Sequence, residues 1–206
     1  MLHNPYKIVK MFEEEVAHYT GAKYAVATSS CTDSLLMACA YENVKGKEVT
    51  IPKRTYISVP QSISHAGGIP KFEDLEWSGI YQLKPFPIYD SAKRLTSGMY
   101  IKGTHMCISF HLKKPLCIGK GGMILTDNKD AYKWFIKARY EGRCFNSGNA
   151  YQHDPIDLMG WNMYMTPEQA ARGLWLMQHY PEHNDDQQEI PDYRDLTTFP
   201  LFEGVQ

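Results

Sequence analysis

Apolar and polar positions along the chain fall into alternating blocks of two periods. Near the start, Ile8, Phe12, Val16 and Tyr19 recur close to helical spacing, which predicts a helix from Asn4-Pro5 through Tyr19, closed by Thr20-Gly21. The run KYAVAT, residues 23–28, then reads as a short buried strand. A helix over Thr32–Tyr41 follows, with Leu35, Leu36 and Cys39 inward. Next come a strand over Val49–Pro52, a helix over Pro60–Ala66 and a strand over Lys71–Asp74. Residues 77–87 read as a compact irregular stretch that leads into a strand ending near Asp90. Further strands are expected over Met106–His111 and Gly121–Thr126. Tyr132, Phe135, Ile136 and Arg139 mark a helix over Lys129–Tyr140. Thr166 as cap and Pro167 at the first helical position open a last helix, which runs to His179.

Strands alternating with helices predict an α/β fold with a mostly parallel sheet flanked by helices. Ligands of such sheets sit beyond the carboxyl ends of the strands. That selects four loops: Ser29–Asp33, Pro52–Tyr56, Asp90–Arg94 and Ser109–Gly122. After residue 178 the pattern stops. Residues 181–206 carry seven acids, one Arg and three prolines, and residues 179–206 are expected to form an acidic C-terminal tail, docked by Phe199, Leu201 and Phe202.

Composition narrows the function classes. In 206 residues, 22 Lys and Arg stand against 23 Asp and Glu, a net charge of −1 that argues against gripping nucleic acid by bulk charge. The stretch from Thr55 to Pro70 lacks charged residues but holds Pro60, His65, Gly67 and Gly68, so no transmembrane helix is expected there. The first fifteen residues do not have the layout of a signal peptide. Five cysteines without a CxxC pair predict neither a zinc site nor a disulfide framework, and point to a reducing, cytoplasmic setting.

The loops hold chemistry of three kinds. SSCTDS, residues 29–34, places small hydroxyl residues at a helix start, where free N–H groups favour a phosphate; helix capping by Ser30 or Thr32 would use the same residues. Asp90 ends a strand, where a carboxylate can hold a protonated ring nitrogen or simply shape a turn. Lys113 and Lys114 follow another strand. A desolvated lysine there can act as an amine nucleophile, although two solvated surface lysines would look alike in sequence.

In this order the segments resemble a known family. GAKYAVATSSCTDSLL, KGKEVTIPKRTYISVPQSISHAGGIPKFED, YDSAKRLTSGMY, SFHLKKPLCIGKGGMILTDN and GWNMYMTPEQAARGL are similar to five successive motifs of the DegT/DnrJ/StrS sugar aminotransferases. These are fold-type-I enzymes that depend on pyridoxal 5'-phosphate. The likeness runs from about Tyr6 to Leu176. It implies a reduced form of the large domain over residues 1–178, and an enzyme that moves an amino group from an amino acid, glutamate in most of the family, to a keto group of a nucleotide-linked sugar.

The resemblance also implies roles. Lys114 matches the lysine that carries the cofactor, with Lys113 as the alternative, and Asp90 matches the partner of the pyridinium nitrogen. Tyr56 stands where an aromatic ring stacks on the cofactor. Ser30, Cys31, Thr32 and Ser109 match phosphate-binding positions. Lys93 replaces a Gln or His beside the cofactor oxygen. Asn162 matches a position that reaches the neighbouring subunit's cofactor, which implies a homodimer with shared active sites. Other features depart from the family pattern. Cys31 replaces a Gly and Lys120 an acid; one strand–helix unit between Asp74 and Asp90 is missing, and so is most of the small C-terminal domain. A dimeric binding or regulatory module that has lost catalysis, or a chain completed by a second protein, would share the same motifs.

Overall fold

The computed structural model describes residues 4–144, 155–187 and 193–203. Helix α1 (Lys7–Thr20) leads into β1 (Tyr24–Thr28) and α2 (Cys31–Tyr41). β2 (Glu48–Pro52), α3 (Ser58–His65) and β3 (Ile69–Glu73) follow, then β4 (Tyr81–Leu83) and β5 (Ile88–Asp90). β6 (His105–Ser109), β7 (Gly122–Thr126), α4 (Lys129–Ala138) and α5 (Pro167–Met177) complete the regular elements. Every strand and helix expected from the periodicity is present, with ends moved by a few residues. β4 was not expected; it lies in the stretch that read as irregular.

The fold is α/β, but the sheet is mixed rather than mostly parallel. Its five strands run in the order β1-β7-β6-β5-β4, and β2 and β3 form a separate parallel pair. β5 and β6 are parallel, whereas β7 is antiparallel to both β1 and β6, and β4 to β5. The reason lies in the connections. A parallel neighbour needs a long crossover, usually a helix. Residues 110–121 join β6 to β7 without one, and residues 84–87 join β4 to β5 as a tight turn. β1, β5 and β6 therefore share one direction, and their carboxyl ends lie along one edge.

Strand alternation sorts the two faces. Ala25, Ala27, Met106, Ile108, Met123 and Leu125 belong to the core shared with Val9, Phe12 and Val16 of α1 and Ala170 of α5. Val26, Cys107 and Ile124 point the other way, into a core with Leu35 and Ala38 of α2 and Phe135 of α4. β7 is buried along its whole length, as its apolar run GMILT requires for a strand covered on both faces. α1 and α5 meet closely because Gly173 leaves room for the Phe12 ring; a Cβ there would collide with it. Two helix starts are capped as their residues suggest. Asn128 Oδ1 accepts from the N–H groups of Asp130 and Ala131, and Gln169 Oε1 accepts from Thr166 N–H. Among the described residues no helix is long and apolar enough to cross a membrane.

One buried ion pair links the layers. Glu13 of α1 pairs with Arg139 after α4; Glu13 Oε1 also accepts from Ala27 N–H at 2.8 Å, while Arg139 Nη1 donates to Ala27 O at 2.6 Å. Both side chains are almost fully enclosed. Removing one partner would leave a buried charge unpaired, so Glu13→Ala is expected to lower unfolding free energy by about 3–5 kcal/mol, read by urea denaturation.

Candidate active site

The aligned carboxyl ends bring the chosen loops together. Gly122, the first residue of β7, stands opposite both Thr28 at the end of β1 and Ser109 at the end of β6. Asp90 ends β5 opposite Cys107, and Tyr81 opens β4 opposite Asp90. Beyond this edge lies a cavity of about 610 Å³. Ser30, Cys31, Thr32 and Tyr56 line it, together with Asp90, Lys93, Ser109 and Lys114.

Asp90 forms part of the cavity wall and is 5% exposed. Its Oδ1 accepts from Ala92 N–H at 2.9 Å, and its Oδ2 from the Tyr81 hydroxyl at 2.9 Å. Tyr81 in turn lies 2.6 Å from Thr55 Oγ1. Among the described residues only neutral groups bond to this carboxylate. Burial pushes its pKa above the ordinary aspartate value, against the pull of the Ala92 and Tyr81 hydrogen bonds and of the charges on Lys114 and Lys93. The geometry leaves a desolvated anion facing a cavity, short of a cation.

The start of α2 forms the opposite requirement. Ser30 caps the helix by accepting from Asp33 N–H at 3.1 Å, so the capping role is real. The N–H groups of Cys31 and Thr32 have no acceptor among the described residues, as expected in a first helical turn. Thr32 Oγ1 donates to Ser58 Oγ at 2.9 Å, which brings a further hydroxyl to the same mouth. Cys31 adopts ordinary helical backbone, and its thiol turns inward to donate to Cys107 O at 3.5 Å. Burial, then the Asp90 charge, raise that thiol's pKa well above normal, so it is no ready nucleophile. Gly122 makes this arrangement possible: a Cβ there would strike the Ser30–Cys31 peptide.

The lysines separate. Lys113 is exposed, whereas Lys114 is half-buried, and it is the Lys114 charge that reaches both Asp90 and Cys31. Lys93 is 4% exposed, with its ammonium 4.9 Å from the centre of the Tyr193 ring and 5.5 Å from that of Trp77. Tyr193 comes from the C-terminal segment and stacks on Trp77 at 6.2 Å. This segment lies against the body. Both Asp186 oxygens accept from the Arg94 guanidinium, Oδ1 from Nε at 2.6 Å and Oδ2 from Nη2 at 2.5 Å, Asp195 pairs with Lys53, and Leu196 and Phe202 are buried, the latter against Phe72. Of the three anchors expected there, Phe202 is buried, Phe199 lies half-buried beneath Arg194, and Leu201 is 66% exposed.

Asn162 lies apart from the cavity of its own chain. It is exposed and donates to Glu141 Oε1 at 2.6 Å. Sequence reasoning missed Tyr81, Thr55, Trp77 and Tyr193. Tyr81 reaches Asp90 only through the β4–β5 pairing, and Tyr193 only through the return of the tail. The one signal for that return was the acidity of the tail, which complements Lys53 and Arg94.

A raised pKa means that folded Asp90 holds its proton more tightly than in the unfolded chain. Stability from this group is present below the unfolded pKa and is lost as pH rises through the folded one. With no ligand added, Asp90→Asn is expected to melt at a higher temperature than the wild type at neutral pH, the gain vanishing at pH values below the ordinary aspartate pKa. Thermal melts across pH check this.

Known proteins share this architecture. The model of the DegT/DnrJ/EryC1/StrS aminotransferase family matches residues 1–89 and 95–197. The chain is 24% identical to the spore coat polysaccharide biosynthesis protein SpsC of Bacillus subtilis (strain 168), with 96% of this chain and 63% of that protein covered. It is 26% identical to the GDP-perosamine synthase of Escherichia coli O157:H7, over 89% of this chain and 61% of that one. The crystal structure of NtdA from Bacillus subtilis with bound cofactor PMP superposes with a TM-score of 0.68 at 23% identity, covering 84% of this chain and 48% of the other. The chain thus spans 61% and 63% of the lengths of these two curated relatives. With nearly its whole length matched, the chain belongs to the DegT/DnrJ/EryC1/StrS aminotransferase family.

Proposed function

We propose that this chain binds pyridoxal 5'-phosphate and transfers an amino group from an amino acid, glutamate by family analogy, to a keto group of a nucleotide-linked sugar. One observation carries the reading: a cation-seeking carboxylate, an open helix N-terminus and a half-buried lysine meet in one cavity. The donor set fits the group. Asp90 supplies a buried anion for a protonated ring nitrogen, and the free N–H groups of Cys31 and Thr32 suit a phosphate. Pyridoxal phosphate, when bound, supplies an electron sink conjugated to the amine.

The chain's own residues do the rest. Asp90 keeps the ring nitrogen protonated. Ser30, Thr32 and Ser109 offer hydroxyls toward the phosphate, with the backbone of Cys31. Tyr56 is 57% exposed at the cavity rim, so its ring is free to lie over a bound ring. Lys114 would hold the cofactor, and its Nζ would be the group that moves a proton to and from the substrate carbon. Lys93 places a fixed positive charge near the same carboxylate. Lys113 and Lys120 add charge at the mouth, suited to a phosphorylated substrate. Asn162, exposed and away from its own cavity, supports the reading of a homodimer in which it reaches the partner's site. Five cysteines, with no disulfide among the described residues, agree with a cytoplasmic setting.

The test is near-ultraviolet and visible absorbance of the protein with added pyridoxal phosphate, wild type against Lys114→Ala. A borohydride-trappable band is expected in the wild type and absent in the variant; no band in either would leave a binding module in place of the enzyme. In the loaded enzyme, Asp90→Asn is expected to slow amino transfer by at least about 100-fold, measured as kcat, with binding of the cofactor phosphate less affected.

A further inference from the structure

Two loops must hold a fixed separation for this site to work: residues 90–94, which carry Asp90 and Lys93, and residues 110–121, which carry Lys114. The first is braced within the sheet, since Ser91 N–H donates to Cys107 O at 2.8 Å and Ala92 N–H to Asp90. The second is braced at its base, where Phe110 N–H donates to Gly121 O at 2.9 Å and Ile118 N–H to Phe110 O at 3.1 Å. Its tip has less support. Lys114 N–H turns back on His111 O within the loop. Among the described residues, one hydrogen bond reaches residues 112–115 from outside it: Gln187 Nε2 donates to Lys113 O at 2.5 Å.

The same residue holds the other loop. Gln187 N–H donates to Lys93 O at 2.9 Å, and its neighbour Asp186 grips Arg94. One glutamine from the C-terminal segment thus spans the carbonyl beside Lys114 and the carbonyl of the Asp90 loop. We infer that Gln187 is a positioning residue, which sets the placement of Lys114 relative to Asp90 without touching either reacting group. The inference rests on the function proposed above. Its physical basis is that displacing a reacting amine by about 1 Å can cost about 100-fold in rate, so a tie at the peptide next to the lysine matters more than one elsewhere on the segment.

Gln187→Met keeps the length and the backbone N–H but removes the side-chain donor. Asn184→Ala is the control. It loosens the same segment by removing the bonds from Asn184 Nδ2 to Tyr19 Oη (3.0 Å) and Pro181 O (2.9 Å), and touches neither loop. Hydrogen–deuterium exchange, followed by mass spectrometry before any cofactor is added, is expected to quicken about 10-fold at the Lys114 amide, which bonds to His111 O, in Gln187→Met and to match the wild type there in Asn184→Ala. After loading, Gln187→Met is expected to change the circular dichroism of the lysine-bound cofactor and to lower kcat about 10-fold, with KM for the amino donor within about 2-fold. Equal changes in both variants would make Gln187 an ordinary anchor of the tail, and no change at the Lys114 amide would show no tie at all; either result overturns the inference. If the wild type fails to take up pyridoxal phosphate, the proposed function fails, while the exchange comparison still decides whether Gln187 holds the lysine loop.

Discussion

Asp90 is a carboxylate enclosed at the end of a sheet strand, and the rest of the site is arranged around that cost. Taking such a charge out of water carries a penalty of several kcal/mol unless strong partners replace the lost hydration. Here the partners are a backbone N–H, a tyrosine hydroxyl and the longer-range charges of Lys114 and Lys93, and together they do not bring the pKa down to its ordinary value. The sheet order explains how the group stays enclosed. β5 lies between β6 and β4, and β4 pairs so that Tyr81 faces Asp90. A ligand that brings a cationic N–H to this point would relieve the strain between burial and charge.

The other parts of the site follow from the same edge. Because β1, β5 and β6 run the same way, the helix that follows β1 aims its N-terminus across the cavity toward the end of β5. Gly122 lets that N-terminus settle onto β7, so the anion-binding end and the anionic wall of β5 belong to one sheet, with β6 between them. The C-terminal segment supplies a further wall. Tyr193 stacks with Trp77 over Lys93, and the ion pairs Arg94–Asp186 and Lys53–Asp195 hold the segment on either side. Four lysines against one aspartate among these cavity residues make a field that attracts anions.

Much of this was legible in the sequence because it rests on local signals. Hydrophobic period located the helices, and strand-end loops together with the family resemblance gathered eight candidate residues that do share one cavity. Strand direction was not legible, because it depends on whether a connection carries a crossover helix, and residues 110–121 have no pattern that settles this. β4 escaped because three residues show no periodicity; only pairing with β5 makes them a strand. The path of the tail escaped for a related reason. Its contacts join residues about 70 to 165 positions apart, such as Gln187 with Lys113, Asp186 with Arg94, Asp195 with Lys53 and Asn184 with Tyr19, and no period in the sequence records them.

The most direct measurement is a carbon-13 NMR titration of the Asp90 carboxyl, assigned with Asp90→Asn, before and after adding pyridoxal phosphate. Before addition the midpoint should lie above that of an ordinary aspartate. After addition it should fall, because a protonated ring nitrogen opposite the carboxylate favours its charged form. A midpoint at the ordinary aspartate value that does not move on adding the cofactor would contradict the claim that this buried carboxylate is built to hold a cation.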